Sequence, residues 1–461
     1  MSALSRSGSA ACVIAALAAV GCPPAPEQAR AVSVTWHGEV AELVERRCLP
    51  CHGSDGVATL RLESFDQASS VAPLVADAVT TGAMPPWGAE DTTECAPPAQ
   101  WANDARLPKE EIAVFEAWAA AGAPEGEPSD RDEQTEIGAP SSDDRTLRSN
   151  RAWPLPETGP DTFRCFVLDP GLEEDAWISR VEVLPGVRRA VHHVLVFQAN
   201  AADGEALAEQ AEQQGGTLDC ARGAPELTQL RTITLWAPGS PALEVPETAG
   251  IELAAGSRIV LQVHYHPTGE PGLADNTGVR LTLRPDLPSE RAGMMLVGNA
   301  EAAPILQAGA EDPGGQPVFH VPAGARAHVE TMVFQGLASS AGPLSVFGLA
   351  PHMHWVGVDM KVSVRKAGGE EVCLLHVPRY DFDWQRFYAY DSTAPLPLIE
   401  AGDALVIRCT YDNTLDNERL REALLEEGLD APGPVGLGPN SLDEMCLVFL
   451  GATVGLNTTG E

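Results

Sequence analysis

GLAPHMHWVG, residues 348–357, places His352 and His354 two apart in a run that otherwise reads as a β-strand. Residues i and i+2 of a strand point to the same face, so the two imidazoles stand side by side as a ready chelate for a metal. Met445, in SLDEMCLVF near the C-terminus, is the candidate that completes the set. Two imidazoles and a thioether suit copper better than zinc, because soft sulfur favours Cu(I) while imidazole tolerates both oxidation states. Taken alone, HMH also reads as a pair of half-buried strand histidines; the other motifs of the chain weigh against that.

The text around this stretch is built the same way. From Trp153 onward FRCFVL, WISRVEVL, VHHVLVF, TITLWA, RIVLQVHYH and VRLTL alternate with Gly and Pro turns, and a second series from near Met294 runs through HVETMVF, LSVFGLAPHMH, DMKVSV, EVCLLHV, DALVIRCTY and MCLVFLGA. The pattern predicts a mainly β protein with two antiparallel β-sandwich (jelly-roll) domains, residues 151–287 and 288–461. The first carries His192-His193 and His264-Tyr265-His266. Adjacent strand residues face opposite ways, so His192 and His193 can reach one metal only at a bulge or a strand end.

Ahead of the strands, TWHGEVAELVERRCLPCH, residues 35–52, sets Val40, Leu43 and Val44 on one face of a short helix that runs into Cys48-Leu49-Pro50-Cys51-His52. CxxCH is the attachment signature of a c-type haem, two thiols for the vinyl groups and a histidine for the iron. In an exported chain the rival readings, a redox dithiol or half a zinc site, are weaker. Met84 in TTGAMPPW is the candidate sixth ligand, because Pro85-Pro86 stiffens the loop that presents its sulfur; otherwise it is a core methionine. LPKEEIAVFEAWAAAGAP then predicts a helix that stops at Gly122 and Pro124. Residues 33–125 therefore resemble a small α-helical cytochrome c, and residues 126–150, rich in Pro, Gly, Ser and acid, read as a flexible linker with an r.m.s. span of roughly 30 Å. Such a span lets the haem domain dock on its neighbour or swing away.

The 461 residues carry 65 acidic and 30 basic side chains, a net charge of −35, which disfavours nucleic acid and anionic lipid as partners. Residues 1–22, with Arg6, an apolar run from Ala10 to Val20 and small residues before Cys22, read as a lipoprotein-type signal peptide. Ala19-Val20-Gly21-Cys22 resembles a lipobox with Ala where Leu is usual, so an exported protein of the bacterial periplasm, or an outer-membrane lipoprotein anchored by lipid at Cys22, is expected. Of ten cysteines, six remain after Cys12, Cys22, Cys48 and Cys51 are set aside. An even number in an exported chain favours disulfides.

Residues 150–461 as a whole resemble the copper type II monooxygenases, the group of dopamine β-hydroxylase and peptidylglycine α-hydroxylating monooxygenase. The resemblance rests on HHVLVF, LWAPGSP, VPETAG, LQVHYHP, PHMHW, IRCTYDNT and DEMC in that order, and the dopamine-hydroxylase branch is the nearer. It implies two coppers. His192, His193 and His264 match the ligands of the electron-transfer copper, and His352, His354 and Met445 match those of the copper that binds oxygen. It gives His266 a structural role, leaves His320, His328 and His376 as ordinary strand histidines, and implies a Cys409–Cys446 disulfide. Cys95, Cys165, Cys220 and Cys373 stay unassigned.

The expectation is thus an exported copper monooxygenase that hydroxylates an aliphatic C–H bond of a small organic substrate with O2. Its two coppers would be supplied with electrons through one covalent haem, refilled by a periplasmic donor or an ascorbate-like reductant. The competing class is a non-enzymatic periplasmic copper and haem protein, an electron carrier or a copper store. Six matching ligands in two domains argue against simple storage, which needs only one good site.

Overall fold

The computed structural model describes residues 34–128, 143–220, 230–310, 312–338, 342–440 and 442–456. The signal, Cys22 and the middle of the acidic linker lie outside the described residues. Among those described, no helix is long and apolar enough to cross a membrane.

The strand runs fold as their alternation predicts, but the two β units share a sheet. A ten-stranded sheet runs from Asp144–Arg148 at one edge through Gly278–Leu283, Ala176–Leu184, Ala249–Leu253, Glu290–Gly298, Leu447–Gly455 and Leu344–His352 to Tyr388–Ala389. The joint is a parallel pairing of Ala249–Ile251 with Glu290–Ala292. A five-stranded sheet containing Thr162–Leu168, Arg258–Tyr265 and Val191–Ala199 covers one half, closing a core of Phe166, Val194 and Leu261 against Ile178, Val181 and Ile251. A four-stranded sheet, His328–Gln335, Ala404–Tyr411, Gly357–Arg365 and Glu371–Val377, covers the other half. There Met360, Leu375 and Ile407 meet Val297, Leu349 and Leu450. Each such side chain contributes about 1.5–3 kcal/mol when fully buried, so both halves hold substantial cores.

Three features depart from the sequence reading. The end of the expected linker is an edge strand: Asp144–Arg148 pairs with Gly278–Leu283, and Thr282 Oγ1 donates to Asp144 Oδ1 at 2.7 Å. A polar edge strand has only one partner and needs no apolar alternation, which is why it read as linker. The helix Ala201–Gln213 was not anticipated; the Asn200 side chain caps it at Asp203 N, and Leu207 and Ala211, one turn apart, pack on Phe197 and Val260.

The third departure concerns the N-terminal helical unit. Its helices, Ala41–Arg47, Leu49–His52, Phe65–Ser70, Ala72–Thr80 and Lys109–Ala120, enclose Val40, Leu43, Phe115 and Trp118, and the last one ends ahead of Gly122 at φ 79°. Between the last two, residues 87–106 leave this unit and pack into the C-terminal β unit. Trp87 sits edge-on to Tyr388 with centroids 4.9 Å apart, Trp101 stacks on Tyr390 at 4.7 Å, and Ala102 N donates to Ala389 O. Cys95 is bonded to Cys373. An arm pinned this way, with a disulfide alone worth about 2–5 kcal/mol, holds the N-terminal helices against the C-terminal unit, the docked one of the two arrangements that a linker of this length allows. The other disulfides are Cys165–Cys220 and Cys409–Cys446, the second as the resemblance implied.

Candidate metal and haem centres

His192, His193 and His264 meet because of a bulge. Along the pairing of Val191–Ala199 with Arg258–Tyr265 the register runs His264 to His193 and then Tyr265 to Val191, leaving His192 as the extra residue. The bulge turns His192 to the same side as His193. Their Nδ1 atoms form a triangle: His192 to His193 3.1 Å, His192 to His264 3.1 Å, His193 to His264 3.3 Å. A point equidistant from such corners lies roughly 1.8 Å from each, close to the 2.0–2.1 Å of an imidazole–metal bond. Burial, followed by the neighbouring imidazoles, pulls His192 down to about 3 and His193 well below its usual value, so both rings are neutral donors at physiological pH. The triangle fits a single ion.

Asp161 orients this centre and had no signal in the sequence. Its Oδ2 accepts from His264 Nε2 at 2.8 Å, which puts the His264 lone pair on Nδ1, facing the other two rings; Oδ1 accepts from His266 Nδ1 at 2.6 Å. Burial works to raise the Asp161 carboxyl, but the hydrogen bonds from His264 and His266 outweigh it and hold the group well below the usual carboxylate range. Phe163 stacks on His264 with centroids 4.2 Å apart. Ligand atoms of His192, His264 and His266 also lie within 4.8 Å of one another. The His192, His193 and His264 triangle is tighter, and the Nδ1 of His266 is engaged by Asp161. Carboxylates behind a ligand histidine typically contribute 10–100-fold in metal affinity. Asp161→Asn is therefore expected to weaken copper at this centre by about 10–100-fold and leave the other centre unchanged, which a copper titration resolves.

The second set assembles at a strand end rather than within a strand. His352 is the last residue of Leu344–His352, while His354 lies in the turn beyond, and their rings stand perpendicular with centroids 5.3 Å apart. The turn is held by Glu444, whose fully buried carboxyl accepts from His354 N at 2.9 Å, Val356 N at 3.0 Å and Met445 N at 3.1 Å. One side chain thus ties the HMH turn to the residue before Met445. Burial pushes this carboxyl up to about 8, against the pull of those N–H donors. Met445 and Cys446 precede the strand Leu447–Gly455.

Hydrogen bonds also fix the tautomers. His354 Nδ1 donates to Asp443 O at 2.9 Å, and His352 Nδ1 donates to Gln385 Oε1 at 2.7 Å, the amide being oriented by its own donation to Phe382 O at 3.0 Å. Both rings then carry the lone pair on Nε2, the opposite choice from His264. Burial, ahead of the nearby His354, pulls His352 down to about 3. Two imidazoles and a thioether fit copper.

All six residues line one cavity of about 1020 Å³, walled also by Leu296, Phe382, Leu447 and Phe449. A second cavity of about 530 Å³ adjoins it. Cys48, Cys51, His52 and Met84 line that one, with Leu60, Val75, Val79 and Pro85. His192, His266 and Asp383 line both. The residues fit a covalent haem. Cys48 and Cys51 are the described cysteines outside disulfides, and His52 Nδ1 donates to Leu60 O at 2.8 Å, leaving the lone pair on Nε2. Burial, then Cys51, pushes the Cys48 thiol up to about 12, and burial likewise raises Cys51.

Of the other histidines, His328 Nε2 meets Glu330 at 2.9 Å, His376 bridges Thr92 and Asp359, each at 2.8 Å, His37 Nε2 lies 3.6 Å from Glu125, and His320, expected on a strand, is exposed outside the strands. Comparison with known families matches residues 149–270 to the N-terminal domain, and residues 328–451 to the C-terminal domain, of copper type II ascorbate-dependent monooxygenases. Human DBH-like monooxygenase protein 1 is 26% identical over 314 residues, 65% of this chain and 46% of the relative. Dog dopamine beta-hydroxylase is 25% identical over 245 residues, 51% of this chain and 36% of the relative. The chain spans about half the length or less of the curated relatives it matches.

Proposed function

Since the chain belongs to the copper type II ascorbate-dependent monooxygenase family, we propose that it is an exported monooxygenase that hydroxylates an aliphatic C–H bond of a small organic substrate with O2. The observation that carries this reading is the single cavity onto which both ligand sets open. Copper held there supplies one-electron redox chemistry and O2 activation. The chain's own part is to hold the donors neutral and aimed: Asp161 behind His264, Gln385 behind His352, and Glu444 beneath the HMH turn. A carrier or a copper store needs no cavity shared by two centres. The test is oxygen uptake coupled to a product carrying labelled oxygen, screened across amines, aromatics and aliphatics; copper loading without any such product favours the carrier.

The haem is proposed as the internal electron source, held by Cys48, Cys51 and His52 with Met84 as the sixth ligand. Support comes from His192 and His266, which stand on the wall common to the two cavities. Loss of a sulfur ligand lowers a haem potential, so Met84→Ala is expected to change the haem spectrum and lower its potential. An unchanged spectrum and potential would assign the sixth ligand elsewhere.

The cavity also speaks to the substrate. Peptide-hydroxylating members of the family, as the sequence resemblance implies, hold a substrate carboxylate with an Arg and a Tyr at the positions of Ala350 and Phe449 here. Ala350 is buried, Phe449 presents an apolar ring, and the arginine on the cavity wall, Arg419, is committed to Asp381 and Asp383, each at 3.0 Å. A carboxylate would sit poorly paired, at a cost of several kcal/mol. Glycine-extended peptides are expected to turn over little, as measured by product yield against small uncharged or cationic substrates.

A further inference from the structure

Arg386 is a buried cation for which the described residues supply no anion. It is 6% exposed, its Nη1 donates to Gly239 O at 3.2 Å, and its Nε is buried without a hydrogen-bond partner. Among the described residues no carboxylate lies within 4.0 Å of its guanidinium. Other arginines on the haem cavity are answered: Arg46 and Arg47 by Glu111, Arg189 by Glu270. Burial lowers the Arg386 pKa from its ordinary value, yet a guanidinium stays charged in proteins. A buried charge without a partner is costly and is retained where something else offsets it.

Its place in the fold says what that is. Arg386 lines the 530 Å³ cavity, and Gly239, at φ 80°, sits between it and the CxxCH motif. A Cβ on Gly239 would lie 3.1 Å from Arg386 Nη2 and 3.4 Å from Cys51 Sγ. The guanidinium therefore stands near the Cys51 sulfur on the wall of this cavity, and it comes from residues 382–387, whose Gln385 bonds His352. We propose that Arg386, contributed by the β unit, sets the potential of the haem held by Cys48, Cys51 and His52, its buried charge favouring the reduced state. The inference rests on the haem reading above. Reduction adds one negative charge near a fixed positive one, so a buried guanidinium at this wall favours the reduced state. The β unit thus biases its own electron source toward being loaded.

The experiment is a potentiometric titration of the full-length, haem-loaded protein as wild type, Arg386→Gln and Arg386→Lys, with Arg379→Gln as a surface control; Arg379 is exposed and pairs with Glu90. Covalent haem is first counted from the alkaline pyridine spectrum. The Gln variant is expected to lose reduction equilibrium constant on the order of tenfold. Lys should restore most of it, and the control should titrate as wild type. The difference should survive high salt, because a buried charge is little screened. Haem present in both proteins with equal potentials overturns the role of Arg386 alone. A wild type without covalent haem overturns the haem reading and this inference with it. Should the Gln variant fail to hold haem, loading of the Lys variant supports a role for the charge, and its failure too overturns that role in favour of shape.

Discussion

Met445→Leu is expected to abolish hydroxylation while leaving the protein folded and copper bound at His192, His193 and His264. The backbone at this position is clamped independently of the side chain. Met445 N donates to Glu444, Met445 O accepts from Tyr411 Oη at 3.0 Å, and Cys446 is bonded to Cys409. Leu conserves volume at a cost usually below about 1.5 kcal/mol, so the substitution removes little besides the thioether. The His192 set lies on the five-stranded sheet, on other elements, and shares no residue with Met445. Copper titration should fall from two sites to one, or to one tight and one weak, with product formation lost. Full activity with one copper would sink the assignment of His352, His354 and Met445 as the oxygen-handling set.

The second large effect is expected from His264→Ala. Removing this ring takes away one corner of the Nδ1 triangle and leaves Asp161 with only His266. Two imidazoles on a bulge hold an ion far less well than three, and loss even of a supporting partner costs about 10–100-fold in affinity. In rapid mixing of pre-reduced protein with O2 and substrate, the haem absorbance of the wild type should decay in step with product. In His264→Ala that decay should slow by at least about tenfold. Product that accumulates while the haem stays reduced would show that a small reductant meets copper directly. Deleting the N-terminal unit is not a clean alternative, because Trp87, Trp101 and Cys95 belong to the packing of the C-terminal unit. Cys48→Ser with Cys51→Ser removes the attachment and leaves that arm in place.

Of the two ways residues 192 and 193 could face one metal, a bulge or a strand end, the register skip between His264 and Tyr265 is the first. The reason it could be read is local: adjacent histidines in an alternating strand are a conflict, and a bulge is the resolution. HMH was read as a strand pair, and there the local argument reached only half way. The strand ends at His352 because the amides beyond it turn to side chains instead of a neighbouring strand: Met353 N donates to Tyr380 Oη, and His354 N and Val356 N donate to Glu444. Nothing in ten residues around the motif announces a carboxylate ninety positions on.

What the sequence determined by itself are features written within a few residues: the alternation that makes strands, the CxxCH spacing, and the HH, HYH and HMH clusters, with a family order of motifs that pairs them into two sets. Only the tertiary structure decided which groups stand behind the ligands, Asp161, Gln385 and Glu444, that the two β units share a ten-stranded sheet, and that residues 87–106 pin the N-terminal helices to the C-terminal unit. It also decided that the two cavities meet at His192 and His266. The physical reason is one of range. Periodicity and spacing report forces between near neighbours in the chain, whereas a hydrogen bond to a copper ligand's far nitrogen or a tryptophan in another unit's core joins residues from 33 to about three hundred positions apart, and their local text is ordinary until the chain has folded.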